Sequence, residues 1–195
     1  MPNWCENKMI VIGSLENVSK IYQDLNDLEL KDTAGFLDKY IPTPIELINK
    51  PASFSSNDTE DAKEMIEKYG SADWYWWRVN NWGTKWDLNE VHNVNMNAIN
   101  GDRYQLCCSF ETAWAPPEEG LRKLSEIFKN TYFFIEFSEP GMGFEGYYSC
   151  VNGNDVGSQT VDSYPKFDQV EDDPQFYLEI ASEFFENKTE GNEVV

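Results

Sequence analysis

The sequence predicts an α+β fold: a split β-α-β core of the ferredoxin-like kind, with an inserted helix and Trp-rich segment and an acidic C-terminal extension. Three observations predict it. Apolar periodicity switches between two and 3.6 residues in the order strand, helix, long insertion, strand, helix, strand. Chain breakers stand between the periodic stretches: Gly13, Gly70, the pair Pro116-Pro117 and the run N-G-N-D at 152–155. The 195 residues are 41% hydrophobic and 15% aromatic, enough to fill a real core and to argue against wholesale disorder.

Residues 8–13 (K-M-I-V-I-G) read as a short buried strand closed by glycine. Ser14 then caps a helix to about residue 28, whose Leu15, Val18, Ile21, Leu25 and Leu28 make one apolar face. The prolines of I-P-T-P at 41–44 forbid regular helix and favour an extended segment. Asp58 or Thr59 opens a second helix, with Met65 and Ile66 inward and Gly70 as its stop. Residues 71–87 hold five of the seven tryptophans: Trp74, Trp76, Trp77, Trp82 and Trp86. Residues 91–99 alternate polar and apolar as an edge strand does, and supply the extra strand the split arrangement requires.

In the strand at 104–112, Tyr104, Leu106, Cys108 and Phe110 share one face and Cys107 takes the other. Pro116 and Pro117 lead into a helix to about residue 129 with Leu121, Leu124 and Phe128 as its stripe. Residues 132–138 form another strand, and 146–151 with 156–161 form a hairpin around N-G-N-D. The expected organisation is one domain over 1–151 with an insertion at about 30–90. Residues 152–195 are then an acidic extension packed on the same core and frayed at its end. Within it a helix opens at Pro174, with Phe176, Tyr177, Ile180, Phe184 and Phe185 toward one side and Glu179, Glu183 and Glu186 on the other.

Fifteen basic residues against 35 acidic ones leave a net charge of −20. That field opposes binding to bare nucleic acid or anionic lipid, so neither is an expected partner. No run approaches the roughly 18 apolar residues of a membrane helix, and the N-terminus lacks a secretory pattern, so the expected location is the cytoplasm. The four cysteines form no C-x-x-C pair and His92 is the single histidine, so buried free thiols are expected rather than a metal site. No phosphate loop, nucleophile elbow or dinucleotide glycine pattern occurs; no catalytic residue is assigned and no cofactor is expected. Glu136, Glu139 and Glu145 are near enough in sequence to suggest an acid/base pair, but a chain this acidic brings carboxylates together by chance.

Five short patterns coincide in order: M-P-N-W-C-E-N at 1–7, I-P-T-P at 41–44, N-W-G-T-K-W-D at 81–87, T-A-W-A-P-P at 112–117 and E-P-G-x-G-F-E-G at 139–146. Together they resemble the YubB ferredoxin-like family of phage- and plasmid-encoded proteins, over about residues 1–148. The resemblance implies a ferredoxin-like core and a mobile-element origin, and brings no catalytic residues with it.

Two surfaces carry the functional expectation. Asp172, Asp173, Glu179, Glu183 and Glu186 would form a carboxylate row on the C-terminal helix, with spacings of about 5–6 Å that imitate part of a phosphate track. This points to a non-catalytic binding protein that engages a basic host protein, of the kind that inhibits a restriction or CRISPR enzyme. Solubility is the competing explanation of the same charge. The alternative is a small-ligand or nucleotide-binding module, in which Trp82 and Trp86 offer flat faces, Gly83 admits close approach and Lys85 meets an anion. Against it, both tryptophans are expected to be core anchors.

Overall fold

The structure, a computed structural model, describes residues 3–29, 35–52 and 59–162. Strand β1 (Trp4–Ser14) runs directly into α1 (Leu15–Glu29). It starts earlier than expected because Asn7, polar yet buried, belongs to its inward row. The Asn7 amide is satisfied there, with Nδ2 donating to Cys5 O at 2.8 Å and Thr112 Oγ1 at 2.9 Å. Ser14 Oγ accepts from Asn17 N at 3.3 Å, the expected cap. Val18, Ile21 and Leu25 are fully buried, whereas Leu15, expected on the same face, is exposed: it stands in the first turn of the helix, where the chain has only just left the sheet.

Among the described residues, four helices stand between α1 and the next strand: α2 (Phe36–Tyr40), α3 (Ile45–Ile48), α4 (Glu60–Tyr69) and α5 (Trp74–Trp82). The I-P-T-P segment crosses from α2 to α3 without helix, as its prolines require. Thr59 caps α4, its side chain accepting from Ala62 N at 3.1 Å, and Gly70 ends it in the left-handed region. Helix α5 lies in the Trp-rich stretch. Asp73 accepts from Trp76 N at 3.1 Å at its start, and Gly83, at φ 86°, closes it.

The remaining elements are β2 (Asn89–Asn100), β3 (Arg103–Ala113), α6 (Glu118–Ile127), β4 (Tyr132–Glu139), β5 (Phe144–Val151) and β6 (Asn154–Asp162). The six strands of the described residues form one sheet in the order β2-β3-β1-β4-β5-β6, every neighbouring pair antiparallel. Its first four strands are the ferredoxin-like arrangement: β3 separates β1 from β2, and β1 separates β3 from β4. Helices α1 and α6 cover the same face, packing Val18, Ile21, Leu121 and Leu124 into one core with Met9, Val11, Leu106, Phe110, Phe133 and Ile135. Edge strand β2 carries register shifts and positive φ at Glu90 and Asn93, irregularities that blunt a sheet edge. At the opposite side Asn152 and Gly153, both at positive φ, make the two-residue hairpin turn. The expected boundary at 151/152 falls inside this turn, and β6 is a strand of the same sheet. The residues proposed for the acidic row, Asp172, Asp173, Glu179, Glu183 and Glu186, lie outside the described residues. No helix among the described residues is long and apolar enough to cross a membrane.

Asp87 ties the insertion to the sheet. Its partly buried carboxylate accepts from Leu37 N at 2.9 Å, Asp38 N at 2.8 Å and its neighbour Leu88 N at 2.8 Å, so it caps α2 from fifty residues away. Burial pushes its pKa up, and the three N–H donors oppose that. Asp87→Ala leaves the α2 donors without partners, at about 1–3 kcal/mol for each buried group. We expect a total loss of about 2–4 kcal/mol in urea denaturation; a loss under ~1 kcal/mol would contradict this role.

Candidate functional site

The five sequence patterns, scattered from residue 1 to 146, meet around one end of the sheet. Register sets Trp4 of β1 opposite Ala113 of β3, and Glu6 opposite Ser138 of β4. Gly83 lies so close to the residues after β3 that a β-carbon would stand 2.9 Å from Pro116 O. Thr84 Oγ1 donates to Ala113 O at 3.0 Å. Thr112 Oγ1 accepts from Asn7 and donates to Ala115 O at 2.8 Å, and Trp114 N donates to Asn3 O at 3.1 Å. The turn after β4 closes beside Asn3, with Gly141 N and Met142 N donating to the Glu139 carboxylate. The I-P-T-P segment joins through Trp82 Nε1, which donates to Ile41 O at 3.0 Å, and Arg78 Nε, which donates to Thr43 Oγ1 at 2.9 Å.

This scaffold separates the four residues of the expected ligand platform. Trp82 is 0% exposed, edge-on to Trp77, and the Arg78 guanidinium sits over its ring at 4.6 Å. Its face is therefore unavailable to a ligand, and the expectation of a core anchor holds for it. Gly83 spends its freedom on the backbone of 116–118. Trp86 does not follow Trp82 inward: it is 37% exposed, tilted against Trp4 at 5.8 Å between ring centroids. Lys85 Nζ lies 4.2 Å from the Trp86 ring centroid and 5.3 Å from that of Trp114.

Trp114 is the residue that sequence reasoning missed. It is 43% exposed and has φ 77°, a left-handed conformation that a bulky side chain rarely adopts. The hydrogen bonds of Thr112, Thr84 and Asn3 hold it there. Met142, in the turn after β4, is exposed at the same end. The surface so formed is apolar and aromatic, with Lys85 set between two rings.

Residues 82–178 match the family model described as the ferredoxin-like domain in Api92-like protein. The match spans just under half of the chain and includes Lys85, Trp86 and Trp114, while Trp4 lies outside it. Among solved structures the chain is similar to the crystal structure of protein api92 from Yersinia pseudotuberculosis. The two share 12% identity with a TM-score of 0.45, over 85% of this chain and 100% of that one. A search of the curated proteins finds no match.

The other candidate groups are engaged by the fold, except Glu145, whose Oε1 is buried with no hydrogen-bond partner among the described residues. Burial pushes the thiols of Cys5 and Cys150 up to about 12 and raises that of Cys108 further, so all three stay protonated. Glu139 turns its carboxylate to the donors of its own turn, on the opposite sheet face from Glu136 and Glu145. Among the described residues no group of three or more His, Cys, Asp or Glu is gathered closely enough to hold a metal ion.

Proposed function

We propose that the protein is a non-catalytic binding protein of phage or plasmid origin that engages a basic host protein, with Trp86 and Trp114 as anchors. The supporting observation is that two large aromatic side chains stand half-exposed on a rigid scaffold, one of them in left-handed backbone that costs about 1–2 kcal/mol for a residue other than glycine. Tryptophan is among the residues most enriched at binding hot spots, and its faces accept the guanidinium of arginine. The net charge of −20 selects a partner of opposite sign and speeds its approach. A nucleic-acid-binding enzyme of host defence fits this description, because the groove that holds its substrate is basic. Asp172, Asp173, Glu179, Glu183 and Glu186 add to the same attraction.

One observation favours a second reading, a module for a nucleotide or other small anionic ligand: the Lys85 ammonium lies between the Trp86 and Trp114 rings. Lys85→Glu separates the two. An arginine-rich peptide should bind the wild-type protein, weaken as salt rises, and bind Lys85→Glu about threefold more tightly, because a like charge has been reversed. An oligothymidylate or a nucleotide should lose its affinity for the same variant. Peptide binding that survives Trp86→Ala and Trp114→Ala together refutes the role given to the tryptophans.

A further inference from the structure

The sheet has two faces, and the described helices occupy one. The buried apolar side chains of α1 through α6 join the core that contains Met9, Val11, Phe133 and Ile135. The opposite face carries a second apolar cluster: Ile10 and Ile12 of β1, Tyr132 and Phe134 of β4, and Val151 of β5. These are direct cross-strand neighbours, with Ile10 opposite Phe134, Ile12 opposite Tyr132, and Tyr132 opposite Val151. On an uncovered face, neighbours shield the flanks of such side chains while their outer ends meet water. Here Ile10 is 5% exposed, Ile12 0% and Phe134 6%. Toward the other end of the strands Lys8 is exposed and Glu136 partly so, which confines the covered area to one half of the face. No helix among the described residues lies against it.

We infer that residues 174–187 of this same chain lie across that half of the sheet as an amphipathic helix, seating Phe176, Tyr177, Ile180, Phe184 and Phe185 on the second cluster. The segment repeats apolar residues at helical spacing and needs a surface to cover them. It is also long enough. Fourteen residues of helix extend about 21 Å, the length of six or seven residues of a strand. The chain leaves the sheet at Asp162 on β6, three strand spacings across from β1 and five to seven residues along the strands from the second cluster, a diagonal of about 25 Å. The eleven residues 163–173 reach up to roughly 36 Å, so the crossing is unstrained. Tethering favours this occupant over a second copy, because its effective concentration is in the millimolar range for a short linker. Seated in this way, the helix holds Glu179, Glu183 and Glu186 outward as a fixed row. The inference is independent of the binding role given to Trp86 and Trp114.

Hydrogen exchange on the full-length protein tests it without any substitution. Amides of 174–187 should exchange at least about tenfold more slowly than those of the same peptide alone. Phe184→Glu with Phe185→Glu should return them to the free-peptide rate and bring on binding of a hydrophobic dye, while α1 and α6 keep their protection. Free-peptide exchange of 174–187 in the wild-type protein overturns the inference. So does a wild-type dimer that Ile10→Glu converts to monomer with no change in exchange of the tail, because a second copy would then be the cover.

Discussion

Trp82→Ala should be among the most damaging single substitutions, costing about 3–5 kcal/mol in urea denaturation. The indole is fully buried between α5 and α6, carries the Arg78 guanidinium on one face, and donates to the carbonyl of Ile41. Alanine leaves a large cavity, strands that carbonyl and removes the ring beneath Arg78, which keeps its hydrogen bond to Thr43. Trp86→Ala, only four residues away, should cost under about 1.5 kcal/mol, because much of its surface is already in water. The comparison separates an anchor of the core from a residue held for use at the surface. Equal costs would abolish that distinction and return Trp86 to a structural role.

The contrast between these two tryptophans marks where the sequence stops being legible. A spacing of four places residues on one face of a helix, but α5 ends at Gly83, so Trp82 and Trp86 belong to different local structures. Helix α5 was itself hidden: Trp74, Tyr75, Trp76 and Trp77 stand in a row, which erases the polar face that periodicity needs. Its ends were marked, with Asp73 three residues before the amide it caps and Gly83 just past the last turn. Elsewhere local rules sufficed. Alternation in β3 sorted Leu106, Cys108 and Phe110 from Cys107, and the Leu121, Leu124 and Phe128 stripe set α6 on the same core as Val18 and Ile21. The order of these elements yielded the ferredoxin-like arrangement, because only a few topologies join them without crossed connections.

Trp114 was beyond reach for a different reason. Positive φ is read from glycine or asparagine, and nothing in T-A-W-A-P-P announces it. The conformation is imposed by partners distant in sequence, Asn3, Asn7 and Thr84, and so emerges only once the strands are registered. The pattern itself was visible as one of five coincident motifs; that all five converge on one end of the sheet is a property of the fold.

Trp114→Gly should cost only about 1 kcal/mol of stability and still cripple partner binding. Glycine adopts φ 77° freely and relieves about 1–2 kcal/mol of backbone strain. The lost contact of the ring with Lys85 is worth about 0.5–1 kcal/mol at an exposed site, and glycine's greater freedom in the unfolded chain removes a similar amount. More than half of the indole surface is also buried, and losing it costs about 1–2 kcal/mol, so the losses exceed the relief by about 1 kcal/mol. Trp114→Ala loses the same ring and keeps the strain, so it should be about 1 kcal/mol less stable than Trp114→Gly. If Trp114 anchors a partner, both variants should lose about 2 kcal/mol of binding energy, roughly thirtyfold in affinity for the arginine-rich peptide. Equal stability of the alanine and glycine variants would mean that the strain is not there to be relieved. Undiminished binding by Trp114→Gly would mean that the protein holds this side chain outward for some purpose other than the proposed partner. Binding lost in both variants, with glycine the more stable of the two, is the signature of a fold that gives up stability at residue 114 to keep an aromatic face available.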